Sequence, residues 1–445
     1  MQRAVAVDLG ATSGRIAIGT LEDGRISFEV VEQILHEPLE RNGRLEWDFE
    51  KILGLCRSAV QAAANARAAT VGIDSWGVDN GFLDSDGRLI GSPVCYRDLS
   101  HLAAFEELAS VRQRLYELTG TQHQPFNTIC QLVARRREDP TLPKRCEWLI
   151  LPDLVGFLLG GERNHEITQA STTQLLGLDG RWSEEAFRIA GWPTPERQPS
   201  RPGKLGGKVA AGVSIAHVGS HDTASAVAGF GPIRDDQVFL NVGTWSLAGC
   251  VLDKPVATPQ AEAGNFTNEL MVDGRVRFLR NIPGFYFINR LHKDLGVAAS
   301  VPEWLSAAER CDERVDLLHP DLFNPDSMLA AARALCSRVP KTDAEWAGLA
   351  LGSLAAIVSA TVPKMETIVG RRFSSFRIGG GGSQSAAFCQ ALANESSLSV
   401  IAGPAEATVL GNLAAQFVAQ GVLADWPEAY EVVERSLTTT EFLPS

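Results

Sequence analysis

A chain of 445 residues, 45% of them hydrophobic and 21% charged, has the composition of a globular protein with material for two or more cores. Its formal net charge of −12 implies no basic surface, which argues against a nucleic-acid binder working by counterion release. The N-terminal apolar run MQRAVAVDLG is cut by Asp8 before it reaches the length of a signal core or a membrane span, so a cytoplasmic protein with no membrane partner is expected.

The predicted elements alternate strands and helices. Apolar runs at 3–10, 15–22 and 69–77 read as strands, as do QVFLNVG (237–243) and FRIGGGG (376–382). Helical patterns cover 103–120 and 346–370, and the second is apolar enough to resemble a membrane segment. Ser353, Ser359, Thr361, Pro363 and Lys364 interrupt it, so a buried core helix is expected. The Pro/Gly/basic stretch 193–208 reads as a surface connection or short hairpin. Eight cysteines show no CxxC and no Cys/His metal spacing, which predicts buried reduced thiols. The whole is an α/β pattern.

An internal echo suggests where the chain divides. AVDLGATSGRIAIG (4–19 region) and FLNVGTWSLAGC (239–250) share an apolar strand, an Asp or Asn, a Gly, a Thr/Ser cluster and a second apolar strand. A boundary near residue 235 follows, giving domains 1–235 and 236–445, each opening on one hairpin. Gly turns with hydroxyls and backbone N–H groups present donors to phosphate oxygens, so two such turns suit a polyphosphate. No GxxxxGK[ST] exists, and GGGG at 379–382 lacks the register of GxGxxG. A strand running into four glycines and then SQSAAFCQALA still brings backbone close to a flat or anionic ligand.

"SHD" at 220–222 sets the residue types of a hydrolytic triad side by side. Three neighbours cannot form one, because a triad's members converge from separate positions.

The motifs DLGATSGR, GIDSWGVD, PVCYRD, PFNTICQL, LPD, STTQL, SHDTASAV, GTWSL, NFTNE, FLRNIPG, FNP, GGGGSQS and VIAGPAEATVLGN run from about residue 4 to 412. Their order resembles that of the FGGY carbohydrate kinases, and within that family is similar to the bacterial rhamnulokinases. The resemblance implies two ribonuclease-H-like (actin-like ATPase) domains holding ATP and sugar in a cleft between them. It implies ATP contacts at Ala11, Thr12, Ser13, Gly14, Arg15, Thr244, Asn289, Gly380, Gly381 and Gly382. Sugar contacts fall on Gly77, His221, Thr223 and Asn281, and the catalytic base on Asp222.

The chemistry agrees with that placement. Phosphoryl transfer to a sugar needs a hydroxyl held in line and a carboxylate to take its proton, and Asp222 leads into an apolar helix whose N-terminus favours its ionised form. Capping of that helix is the alternative role. Asp8, at the end of the first strand, suits orientation of Mg²⁺ through water, or forms a turn with its own backbone. Trp76 and Asp79 either line the sugar pocket or serve packing and the turn. The resemblance implies ATP-dependent phosphorylation of L-rhamnulose to L-rhamnulose 1-phosphate. Departures at Ser100, after YRDL, and at NVGTWS leave L-fuculose, L-xylulose or another ketose open. A non-kinase actin-like ATPase or sugar sensor is the alternative from another class.

Overall fold

The computed structural model describes residues 1–323 and 325–445, so Asn324 of the FNP run lies outside the described residues. The chain forms two compact units. The first comprises 1–232, 253–277 and 408–436, and the second 233–252, 278–407 and 437–445, so neither is one continuous stretch.

The sheet of the first unit contains β1 (Gln2–Leu9), β2 (Ser13–Glu22), β3 (Arg25–Leu35), β4 (Thr70–Ser75), β5 (Lys204–Lys208) and β6 (Ser214–His217), in the order β3-β2-β1-β4-β6-β5. β1 is buried from Ala4 onward, as a strand covered on both faces must be, and its near-continuous apolar run matches that position. β3 carries Glu29, Glu32 and Arg25 and is mostly exposed, which suits an edge strand that must resist further pairing. Helix α1 (Phe49–Ala66) turns Ile52, Cys56, Ala59 and Ala63 into the core at helical spacing. A second core of the same unit, separate from the sheet's, gathers around Trp148, Trp182, Phe187 and Trp192.

The second unit repeats the plan. β7 (Gln237–Val242), β8 (Trp245–Leu252), β9 (Val276–Pro283), β10 (Ser375–Gly379), β11 (Ser399–Ala402) and β12 (Thr440–Phe442) follow the order β9-β8-β7-β10-β11-β12. In each unit the opening hairpin is antiparallel, the next two strands join parallel and the last is antiparallel. The registers echo too: Asp8 faces Arg15 and Asp74, whereas Asn241 faces Leu247 and Gly379.

Four of the five predicted strands are present within two residues, and the fifth, expected at 376–382, ends at Gly379, before the 3₁₀ turn Gly381–Gln384. The stretch 193–208 ends in β5, which forms a hairpin with β6. The single helix expected at 103–120 is three pieces, His101–Leu108, a 3₁₀ turn at Ala109–Val111 and Arg112–Thr119. Val111 sits at φ −111°, ψ 5°, outside the helical region, although the apolar phase of Ala104, Leu108, Leu115 and Thr119 runs straight through the break. The apolar stretch near 346–370 divides at Ala360 into Asp343–Ser359 and Thr361–Val369. Together they are long and apolar enough to cross a membrane, and 72% of their most apolar 18-residue stretch is buried in the protein. All eight cysteines are free thiols, most of them buried.

Helix α2 (Ala407–Ala419) returns to the first unit and brings two buried amides. Gln416 donates to the Val5 carbonyl at 2.9 Å and to Asn412 Oδ1 at 2.7 Å, while Asn412 donates to Asp74 Oδ2 at 2.6 Å. The close approach depends on Gly411, where a Cβ would overlap the Ser225 carbonyl oxygen and lie 2.7 Å from its carbon. Gly411→Ala should therefore destabilise the protein by about 1–3 kcal/mol in urea unfolding. Helix propensity alone would stabilise it by about 1 kcal/mol, so a gain would overturn this packing.

Candidate active site

The SHD turn of the first unit is built on a buried carboxylate. Glu166 is fully buried, and its Oε2 accepts from Ser220 N at 3.1 Å, Ser220 Oγ at 2.7 Å and Thr168 N at 3.0 Å, and also from the Thr168 hydroxyl. Thr168 Oγ1 in turn accepts from His221 N at 3.1 Å. Gln169 Nε2 reaches the carbonyls of Ser75, Trp76 and Ser220, and Ser75 N donates to the Ser220 carbonyl at 2.8 Å. Ser220 is thus an anchor, and the two turns carrying Gly77 and Asp222 are tied into one body.

Asp222 is the first residue of the helix Asp222–Ala228, with His221 at its N-cap. Its Oδ1 accepts from Thr223 N at 2.5 Å and Thr223 Oγ1 at 3.1 Å, and His221 Nε2 lies 3.5 Å from the same oxygen. The side chain keeps 28% of its surface exposed. Burial holds its carboxyl above the ordinary aspartate value, opposed by His221 and the Thr223 bonds. Gly77 sits against this group: a Cβ there would lie 3.3 Å from His221 Nε2, so a side chain would crowd the imidazole.

Behind the turn, His221 Nδ1 is 3.1 Å from Arg277 Nη2 and 3.3 Å from Glu269 Oε2, and those two side chains are 3.0 Å apart. Arg277 is fully buried.

Trp76 and Asp79 are 5% and 1% exposed. The Asp79 carboxylate accepts from the indoles of Trp47 at 2.6 Å and Trp76 at 2.8 Å and from Gln131 Nε2 at 3.0 Å. Burial still pushes its carboxyl up to about 6 against these bonds. Both side chains are enclosed, and the Asp79 carboxylate is bonded to two indoles and an amide, as the packing-and-turn alternative for this pair requires.

The first hairpin turn closes with Gly10 N donating to the Ser13 carbonyl at 2.8 Å. Thr12 is exposed, Ala11, Ser13 and Arg15 are partly so, and Gly14 is buried, with Leu55 and Leu9 where a Cβ would go. Asp8 sits beside this turn with Arg15 Nε at 3.5 Å. Burial, and then the neighbouring Asp8 carboxylate, push Asp74 well above the ordinary carboxylate range. Mg²⁺ keeps several waters and takes one or two carboxylates, and Asp8 is the carboxylate at this turn that suits it. Among the described residues no group of three or more His, Cys, Asp or Glu side chains could hold a metal ion.

In the second unit the turn after β7 is exposed at Gly243, Thr244 and Trp245. The Thr244 carbonyl accepts from Gly284 N and Tyr286 N at 3.1 Å, which places the start of helix Phe285–Leu295 against the turn. Asn281 on β9 and Asn289 on this helix are both exposed. Gly380, at φ 80°, lies where a Cβ would be 2.7 Å from Asn241 Oδ1, and Gly382 packs on Val242, while Gly381 faces open space. Thr244 and Gly380–Gly382 are therefore neighbours around the end of β7.

Sequence reasoning missed Glu166, Gln169, Asn412 and Gln416. The signal available was polar residues inside apolar or small-residue runs, as in HEITQASTTQ and VLGNLAAQ. It also missed Asp153, whose Oδ2 accepts from Glu166 N at 2.7 Å and Oδ1 from Asn164 at 3.2 Å. A cavity of about 20 Å³, room for one water, lies between Asp153, Glu166, His217 and Ser220.

Comparison with known proteins gives the following matches. Residues 3–200 match the family model described as the FGGY family of carbohydrate kinases, N-terminal domain, and residues 238–420 match the C-terminal domain of the same family. The chain is 36% identical to the rhamnulokinase of Pectobacterium carotovorum over 449 residues, covering 95% of this chain and 89% of the relative. It is 32% identical to the rhamnulokinase of Bacillus subtilis over 461 residues, covering 99% and 95%. Among solved structures, xylulose kinase from Lactobacillus acidophilus superposes with a TM-score of 0.83 at 17% identity, covering 100% of this chain and 94% of that one. Plasmodium falciparum glycerol kinase with ADP does so with a TM-score of 0.81 at 13% identity, covering 100% and 94%. These likenesses give the ribonuclease-H-like, actin-like ATPase fold.

Burial raises the Asp153 carboxyl to about 8 from its ordinary 3.8, with the Glu166 charge adding to the shift. A folded-state value above the unfolded one means that this group's stabilisation is complete below about pH 4 and is lost as pH rises to about 8. Asp153→Asn, which cannot ionise and loses an acceptor, should be less stable than the native protein at pH 4, and the gap should shrink toward pH 8. Thermal unfolding across that range measures it, and a gap independent of pH would overturn the assignment.

Proposed function

The chain belongs to the FGGY family of carbohydrate kinases, and from that premise we propose that it transfers the γ-phosphoryl group of ATP to L-rhamnulose, giving L-rhamnulose 1-phosphate. The curated relatives named rhamnulokinase support the sugar. The observation that carries the mechanism is the Asp222 carboxylate. It is partly open, its Oδ1 is tied to Thr223 and faces His221, and it stands on a turn anchored through Glu166.

In this reading the sugar hydroxyl oxygen attacks the γ-phosphorus, its proton passes to Asp222, and the bond from the γ-phosphorus to the bridging oxygen breaks to leave ADP. The burial that raises Asp222's carboxyl makes it a stronger proton acceptor once ionised, so activity falls as pH drops through its titration. Gly77, His221, Thr223 and Asn281 hold the sugar. Ala11–Arg15, Thr244, Asn289 and Gly380–Gly382 hold the nucleotide, and Trp76 and Asp79 stiffen the turn below Gly77. Mg²⁺ oriented through water at Asp8 would neutralise charge on the β- and γ-phosphate oxygens.

A coupled ADP-release screen over L-rhamnulose, L-fuculose and L-xylulose tests the acceptor, with L-rhamnulose expected to give the highest kcat/KM; a clear preference for another ketose would overturn that choice. Asp222→Asn should keep nucleotide binding and lose about two or more orders of magnitude in kcat. Near-normal turnover by that variant would remove Asp222 from the base role.

A further inference from the structure

We propose that Arg277 is a positioning residue, which by donating to His221 Nδ1 keeps the imidazole in its Nε2–H form facing Asp222 Oδ1, so that Oδ2 is the oxygen that takes the substrate proton. This rests on the reading of Asp222 as the base.

A guanidinium has donors only and stays protonated. An imidazole nitrogen that accepts from it must carry no hydrogen, and a neutral ring then holds its proton on the other nitrogen. Arg277 Nη2 donates to His221 Nδ1 at 3.1 Å, so the proton lies on Nε2, which faces Asp222 Oδ1 at 3.5 Å. Glu269 makes the opposite demand. Its Oε2 is 3.3 Å from Nδ1 and would draw a proton there, but it lies 3.0 Å from Arg277 Nη2 and has no aligned hydrogen bond. The Arg277 charge thus holds Glu269 in check, and Glu269 supplies the countercharge that a fully buried guanidinium requires.

The effect on the base is directional. Thr223 N, Thr223 Oγ1 and His221 Nε2 all gather at Oδ1, and no donor among the described residues holds Oδ2. Without Arg277, Glu269 would claim an Nδ1–H and the ring would turn a lone pair toward a carboxylate. The other titratable groups acting on Asp222 or on this relay are Asp74 from β4, Tyr96 from the loop after Val94, and Glu166 beneath the turn, which acts on Arg277. None of them donates to either Asp222 oxygen.

Nitrogen-15 NMR of the full chain labelled at histidine, with His221 assigned by its loss in His221→Gln, reads the tautomer directly. The native protein at neutral pH should show a bare Nδ1 and a protonated Nε2, and Arg277→Met should move the proton to Nδ1. A native spectrum with Nδ1 protonated, alone or together with Nε2, overturns the proposal whatever the variants do. In kinetics with L-rhamnulose and MgATP, Arg277→Met should lower kcat by about 10-fold to 100-fold with the KM for ATP unchanged. It should also shift the acid limb of the kcat/KM profile upward, and Arg277→Lys should restore part of both. An unshifted acid limb in a folded Arg277→Met protein counts against the relay. If that variant does not fold, the native spectrum and Arg277→Lys still decide. Failure of the base reading is separate, since Asp222→Asn would then stay active while the native tautomer remained as described.

Discussion

A single carboxylate with no exposure to water organises the SHD turn. Glu166 satisfies the backbone N–H and hydroxyl of Ser220 and the N–H and hydroxyl of Thr168, and through Thr168 it reaches His221 N. A buried charge is tolerable only when its lone pairs are used, and here the donors that use them are the elements that must be held in register. Loss of that anion would leave several buried donors unsatisfied at once. The loop carrying Asp222, the turn carrying Gly77 and the segment 166–174 therefore stand or fall together.

The first unit divides its polar side chains between a layer open to solvent and a layer enclosed beneath it. Asp222 and Thr12 retain access to solvent, whereas Asp79, Glu269, Arg277 and Glu166 are enclosed. Enclosed ionisable groups hold neighbouring side chains in one rotamer and one protonation state, which a flexible surface group cannot do. Asp79 illustrates this with two indole N–H donors converging on it, fixing Trp47 and Trp76 below the glycine turn.

Much of the architecture was legible because strands buried on both faces leave near-continuous apolar runs, and β1 and β7 are of that kind. The repeated hairpin was legible as well, since the Gly turn recurs with its flanking strands and six strands of the second sheet repeat the order of the first. Three things were hidden. The break at Val111 leaves the apolar phase undisturbed. The return of 408–436 to the first unit depends on contacts hundreds of residues apart in sequence, which no local pattern encodes. Asp79 and Asp222 are each a carboxylate in a glycine- or serine-rich turn, and only burial distinguishes the one spent on indoles from the one left open.

The two amides of α2 also bear on how the protein is made. Asn412 and Gln416 bind Gly72, Asp74 and Val5, residues synthesised 338 to 411 positions earlier. Domains generally fold as they leave the ribosome, N-terminal part first. Here the central strands of the first unit wait for partners 338 to 411 residues further along the chain, and until those emerge β1 and β4 lack the helix that covers them. That face of the first sheet has no cover from α2 while the intervening residues are made.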